Sequence, residues 1–159
     1  MEQPPSRIRT AGLLWRLYLL RTWMRKNRES IARLWRAGEP VATTASAIAG
    51  VDQAPTEDDI AHIADSILAG AFTGDFAVAL ERAAAFTDVV ALGLRIEARS
   101  MIARLKAAEG SDSSDSGISA MEKQARMKSS RLMHTAGNLF VTAKDFRHGA
   151  NLWRRGKLE

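Results

Sequence analysis

Residues 13–36 read LLWRLYLLRTWMRKNRESIARLWR. With a period of 3.6 residues, the large apolar side chains fall on one face, as in a helix that packs against a core. They are Leu13, Leu17, Leu20, Met24, Ile31, Leu34 and Trp35. On the opposite face Arg21, Arg25 and Arg28 follow one another at i, i+4 and i+7. Like charges at this spacing repel by about 0.2–0.5 kcal/mol per pair. The row therefore favours an anionic partner for this helix over an ordinary solvated face.

The charge is divided into three blocks along the chain. Residues 1–36 carry +7, residues 37–117 carry −8 and residues 118–159 carry +6, which gives the net charge of +5. One reading is that the two cationic ends fold onto the acidic middle. The other is a cationic surface on one side of the protein and an acidic, subunit-facing surface on the other. The sequence leaves both readings open.

Length and composition indicate one domain, residues 1–159, with an ordinary apolar content of 46%. The chain has no cysteine, which excludes disulfides, thiolate metal sites and cysteine nucleophiles. Arg16 and Arg21 interrupt the only apolar run that approaches membrane-spanning length. We therefore expect a soluble, unprocessed, cytoplasmic protein.

Capping and helix-ending residues predict where helices begin and end in the first half of the chain. Residues 1–10 are expected to form a frayed tail, and the first helix either continues to Gly38 or is broken near Asn27. Residues 41–55 are small and are predicted as a loop. Thr56, followed by three acidic residues, should cap the next helix, and Asp75 a later one.

The second half is predicted to be two long helical segments. Residues 76–108 are nearly all helix formers, with a candidate division at Thr87. Residues 110–117, GSDSSDSG, should form a mobile loop, and a capping box at Ser119 should start a last helix of about thirty residues. Residues 150–159 are predicted as a flexible basic tail. The apolar stripe of the last helix is Met121, Ala125, Leu132, Ala136, Leu139, Ala143 and Phe146. The predicted fold is all-α: a single helical bundle of about five helices, with a flexible Gly/Ser/Asp loop before the last long helix.

No enzymatic constellation is visible in the sequence. His62, His134 and His148 are far apart and do not have the spacing of metal ligands. There is no phosphate-binding glycine loop and no nucleophile elbow. We therefore predict no catalytic residue, no metal and no cofactor.

Basic helices that carry aromatic residues lie at both ends of the chain, and this combination suits nucleic acid. Lysine and arginine neutralise phosphates and release counterions, and exposed rings stack on unpaired bases. Contact with the backbone of single-stranded RNA or DNA, without base readout, is the expected mode. The residues predicted to contact nucleic acid are Arg16, Arg21, Arg25, Lys26, Arg28, Arg33, Arg36, Lys123, Arg126, Arg131, Lys144, Arg147, Arg154 and Arg155. Those predicted to stack on bases are Trp15, Tyr18 and Trp153.

Two other functions stay open. Tryptophan, leucine and arginine on an amphipathic helix also describe a helix that lies on a membrane surface. A helical packing or adaptor subunit, docking on other proteins, is compatible with nucleic-acid binding.

In outline the whole chain resembles the small helical subunits of CRISPR ribonucleoprotein effector complexes. The resemblance is carried by size, helical content, the Arg21/Arg25/Arg28 row and the basic final helix MEKQARMKSSRLMHTAGNLF at residues 121–140. It implies a compact bundle that stabilises a guide–target complex without cutting it, with several copies side by side. Basic helical proteins of plasmids, phages or chromatin share the outline and remain an alternative.

Overall fold

The computed structural model describes residues 9–36, 56–109 and 115–157, and all their side chains except those of residues 35–36, 108–109 and 115–119. Within these ranges the chain forms five helices and no strand, which confirms the predicted all-α bundle. The expected loop at residues 41–55 and most of the expected N-terminal tail lie outside the described residues. The helices are α1 (Thr10–Lys26), α2 (Arg28–Arg36), α3 (Glu57–Thr73), α4 (Phe76–Glu109) and α5 (Asp115–Arg154).

The break between α1 and α2 falls at Asn27, one of the two predicted positions. Its backbone N–H and its side-chain amide both donate to the carbonyl of Trp23, at 3.0 and 2.8 Å. Its own carbonyl accepts from the N–H of Ile31 at 2.9 Å, so the next helix starts without a loop. Asparagine suits this position because its short side chain satisfies terminal backbone groups of the helix.

The predicted helix starts at Thr56 and Asp75 are confirmed. Thr56 Oγ1 accepts from the N–H of Asp59, and Asp59 Oδ2 accepts from the N–H of Thr56, a complete capping box. Asp75 Oδ1 accepts from the N–H of Ala77 at 2.9 Å. Both caps satisfy amide groups that the first turn of a helix leaves unpaired.

The candidate division of the long segment at Thr87 is wrong, since α4 is continuous from Phe76 to Glu109. Thr87 is buried, and its hydroxyl donates to the carbonyl of Ala83 at 2.6 Å. A threonine whose hydroxyl is satisfied by the preceding turn stays in a helix at little cost.

The core is formed by all five helices and follows the predicted stripes closely. Leu13, Leu17, Leu20, Met24 and Ile31 are buried, as predicted. On α3 and α4 the buried apolar residues include Ile60, Ile63, Ala64, Ile67, Phe76, Leu80, Ala83, Val90, Leu94 and Leu105. On α5 they include Ala136, Ala143 and Phe146.

A close helix crossing at Gly149 places α1 against α5. A Cβ atom at Gly149 would lie 2.7 Å from Leu13 Cδ1, closer than real Cβ contacts. The missing side chain therefore lets the buried Leu13 approach the backbone of α5.

Helices α4 and α5 form a long antiparallel hairpin whose end lies apart from the main core. Ser129 Oγ donates to the carbonyl of Ala98 at 3.2 Å and marks the register of the pair. None of the described residues 97–131 belongs to the main core. The prediction that Met121 is a core residue is therefore wrong. It is 70% exposed, because α4 is the only described helix that packs beside α5 at this end.

The predicted bounds of the last helix are also corrected. It has 40 residues and begins at Asp115, so residues 115–117 are not part of a loop. It continues to Arg154, inside the segment expected to be a flexible tail. Trp153 packs edge-on against Phe76, with ring centroids 4.9 Å apart, which holds the last turn in place. Gly156, at φ 65°, then ends the helix, with the N–H of Lys157 bonded to the carbonyl of Leu152.

Candidate nucleic-acid interface

The arginine row of α1 and α2 forms ion pairs with carboxylates of the same protein. Arg21 Nε lies 2.7 Å from Asp65 Oδ1, and Arg25 Nη1 lies 2.6 Å from Asp65 Oδ2. One carboxylate of α3 thus accepts from two arginines of α1. Arg21 and Arg25 lie on the flank of α1 that faces α3, and both are only partly exposed. The predicted anionic partner of these two arginines is Asp65.

The two arginines also change the acidity of the carboxyl group. The hydrogen bond from Arg21 is the largest cause, and with Arg25 it holds the pKa of Asp65 below the ordinary 3.8, against the opposing effect of burial. Arg28 Nε, the third member of the row, lies 3.8 Å from Glu57 Oε2 at the start of α3. All three arginines of the row therefore face acids of the same helix.

Cationic residues at the C-terminal end are paired with the middle of the chain in the same way. Arg147 and Arg154 of α5 bond to Asp88 and Glu81 of α4. The hydrogen bond from Arg154 lowers the pKa of Glu81 and, reciprocally, raises the pKa of the guanidinium. Together with the contacts of Arg21, Arg25 and Arg28, these ion pairs show that arginines of both cationic ends bond to the acidic middle, as in the first of the two charge readings.

Two further predicted contact residues are paired outside that pattern. Arg16 Nη1 lies 3.0 Å from Asp145 Oδ2, which joins α1 to α5. Arg126 binds Glu122 one turn earlier on α5, at 2.9 Å. Such exposed pairs are weak, and both arginines keep much of their surface in water.

The predicted contact residues that make no ion pair with the described residues are Lys26, Arg33, Lys123, Arg131, Lys144 and Arg155, all exposed. The side chain of Arg36 lies outside the described part. Lys26 and Arg33 are on α1 and α2, whereas the other four share one side of α5 and its C-terminal turn. We call this side the outer face of α5; its exposed residues are Lys123, Met127, Ser130, Arg131, His134, Val141, Lys144, His148 and Arg155.

The outer face is a long cationic stripe. Nearly all of its neighbouring members are three, four or seven residues apart, and from Lys123 to Arg155 it spans about 48 Å at the rise of an α-helix. The acids of α5 with described side chains, Glu122 and Asp145, are both bonded to arginine. Near one end, Lys123 and Arg131 help to line a shallow depression of about 440 Å³. Four cations in a row without a free acid between them are suited to an anionic backbone.

The aromatic residues predicted to stack on bases have neighbours of their own. The Trp15 and Tyr18 rings stack on each other, with centroids 5.6 Å apart, and Trp15 is 60% exposed. Trp153 is 42% exposed and packs against Phe76. Base stacking by these rings stays a prediction.

Metal binding and membrane spanning can be assessed for the described residues. In the part of the chain that the structure describes, no group of His, Asp and Glu side chains is arranged to hold a metal ion. Among the described helices, none combines the length and the hydropathy needed to cross a bilayer.

Asp65, Glu57, Asp88 and Glu81 were not predicted as partners of the arginines, although they determine which arginines are compensated. The sequence signal that could have indicated them is the division of charge along the chain, since an acidic middle between two basic ends is consistent with ion pairs within the protein. It could not identify the partners, because each pair joins residues more than 25 positions apart.

Comparison with known proteins adds no relative. No protein-family model, no curated protein and no solved structure matches the chain.

The shared carboxylate makes a prediction about stability. Asp65→Asn should lower the free energy of unfolding by roughly 0.5–1.5 kcal/mol at pH 7, because two half-exposed ion pairs are lost. The folded-state pKa of Asp65 is depressed, so its contribution is present above the ordinary 3.8 and is lost as the pH falls through the folded value. Urea unfolding of both proteins should therefore show a difference at pH 7 that shrinks in more acidic buffer.

Glu29→Gln is the matched control, because Glu29 is exposed and makes no ion pair with the described residues. It should leave the unfolding midpoint nearly unchanged. Equal stability of wild type and Asp65→Asn at neutral pH would contradict the structural role of Asp65.

Proposed function

We propose that this protein is a non-catalytic subunit that binds the backbone of RNA or single-stranded DNA through the outer face of α5. The single observation that carries the proposal is the unpaired state, among the described residues, of Lys123, Arg131, Lys144 and Arg155 on one side of a 40-residue helix. Each phosphate neutralised by such a cation releases condensed counterions, which supplies affinity without sequence readout.

The arginine row of α1 and α2 has a lesser part in this proposal. Arg21 and Arg25 already share Asp65, and Arg28 faces Glu57. To bind phosphate they would have to leave these carboxylates, which would then lose their partners. Reversing all three to glutamate would also place like charges around Asp65, so the loss of binding expected from that variant would be mixed with a loss of stability. Lys123, Arg131, Lys144 and Arg155 can bind phosphate without breaking an ion pair with a described residue.

A role like that of the small helical subunits of CRISPR effector complexes remains part of the proposal. An all-α bundle with one long cationic helix is compatible with that role. In such an assembly the outer face of α5 would lie along the nucleic acid of the guide–target complex. A cytoplasmic location fits this role and is proposed with it.

A second function, a packing subunit of a larger assembly, is favoured by the outward side of α1. The flanks of α1 that face α3 and α5 carry Arg21 and Arg16. The side turned to solvent carries three exposed apolar residues, Trp15, Tyr18 and Leu19, together with the exposed Thr22 and Lys26. Beside it, α1 and α5 border a groove of about 390 Å³. Exposed apolar patches of this kind mark sites of protein association. The proposed contact between several copies would use this side of α1.

The nucleic-acid proposal is tested by Lys123→Glu/Lys144→Glu. Fluorescence anisotropy with a labelled single strand of about 20 nucleotides should show at least a roughly tenfold loss of affinity. The slope of log K against log salt should fall by about 1.4, or 0.7 for each lost phosphate contact.

The matched control is Lys26→Glu/Arg33→Glu, which changes the net charge equally but lies on α1 and α2. It should lose far less affinity than the α5 variant. An equal loss of oligonucleotide affinity in both variants would show that binding depends only on net charge. A loss of affinity in the α1–α2 variant alone would show that the interface lies on the N-terminal helices. Either result contradicts the proposal.

Association of copies through α1 is tested by Leu19→Glu. Wild-type protein should self-associate in sedimentation velocity as its concentration rises, and Leu19→Glu should shift the equilibrium to monomer, because a buried, unpaired carboxylate is costly. Met121→Glu is the control, since Met121 is 70% exposed at the end of the α4–α5 hairpin that lies apart from the main core. A wild type that is monomeric throughout would contradict self-association.

A further inference from the structure

A second surface, distinct from the outer face of α5, lies where the α4–α5 hairpin extends beyond the main core. There the two helices border a groove of about 330 Å³. The groove is lined by Ala98, Arg99, Ile102, Ala103, Lys106, Ser129 and Met133. No other described helix contributes to this lining. We call it the hairpin groove.

The floor of the hairpin groove is apolar. Ala98 and Ser129 are buried, and the hydroxyl of Ser129 already donates its hydrogen bond to the carbonyl of Ala98. Ile102 is half-buried, and Met133 is 41% exposed. Methionine adapts its shape to varied apolar partners and is frequent at surfaces that bind helices.

The rim of the hairpin groove is cationic. Arg99 and Lys106 are exposed and make no ion pair with the described residues. They are seven residues apart on α4, about 10.5 Å along the helix axis, with Ile102 between them. The lining contains no acidic residue. An occupant must therefore offer apolar side chains to the floor and negative charge at two points along the rim.

We propose that the hairpin groove binds an acidic amphipathic helix of a protein partner. A ridge of apolar side chains at i, i+3/i+4 and i+7 fills a groove between two helices, and acidic residues seven apart on that helix match the spacing of Arg99 and Lys106. Charge complementarity sets the acidic character of the partner. Nucleic acid has phosphate for the rim but no aliphatic surface for Ile102 and Met133. A bilayer is flat on this scale, whereas the groove is concave.

The proposal is independent of nucleic-acid binding, because it uses Arg99, Ile102, Lys106 and Met133, none of which belongs to the outer face of α5. It adds a protein partner to a subunit that holds a nucleic-acid strand on a different set of side chains.

The test uses a fluorescent synthetic peptide of about 18 residues, with leucines at i, i+3/i+4 and i+7 and glutamates seven apart beside them. The protein should bind it with a dissociation constant below about 100 µM. Arg99→Glu/Lys106→Glu should weaken binding at least tenfold, since the rim then repels the peptide. Met133→Gln should also weaken it, and its exposed position means that the fold is retained.

Two controls separate groove binding from charge attraction. A scrambled peptide of the same composition should bind at least tenfold more weakly, and Lys26→Glu/Arg33→Glu should bind the designed peptide like wild type. The proposal is overturned if the scrambled peptide binds equally well, if the designed peptide does not bind, or if the groove variants bind it normally. It is also overturned if Arg99→Glu/Lys106→Glu loses oligonucleotide affinity but keeps peptide affinity, which would assign the groove to nucleic acid.

Discussion

The carboxylate of Asp65, which forms ion pairs with two arginines, determines which positive charges of the first helix are compensated. Asp65 accepts from Arg21 and from Arg25 on different oxygens, which removes the repulsion between neighbouring arginines and joins α1 to α3. Similar contacts of Arg147 and Arg154 join the end of α5 to α4. Once these charges are compensated, the principal uncompensated positive surface of the described residues is the outer face of α5.

The sequence predicted the fold well because the relevant information is local. The spacing of Leu13, Leu17 and Leu20 reports a buried face whatever packs on it, and the capping box at Thr56 is complete within four residues. The end of the last helix was predicted wrongly because a distant contact determines it. The last helix continues to Arg154 because Trp153 meets Phe76, a residue 77 positions earlier in the chain.

The candidate site could be predicted only in part, for the same reason. The helical period placed Arg21 and Arg25 in one row, and their mutual repulsion implied an anionic partner. The spacing of the arginines does not show which helix packs beside them. The rotation of α1 turns these arginines towards Asp65 and leaves Trp15 and Leu19 facing solvent. On α5 the prediction of exposed cations depended less on which helices pack nearby, because Lys123, Arg131 and Lys144 lie on the side away from the core. The proposed interface therefore keeps those residues and gives less weight to the arginine row.

The most direct measurement of the central claim is lysine acetylation followed by mass spectrometry, with and without a saturating single-stranded oligonucleotide. Exposed lysines occur on both candidate surfaces, Lys26 on α1 and Lys123 and Lys144 on α5, so one experiment compares them in the unmodified sequence. The account predicts that the oligonucleotide protects Lys123 and Lys144 and leaves Lys26 as reactive as in the free protein. Protection of Lys26 with unchanged reactivity of Lys123 and Lys144 would contradict it.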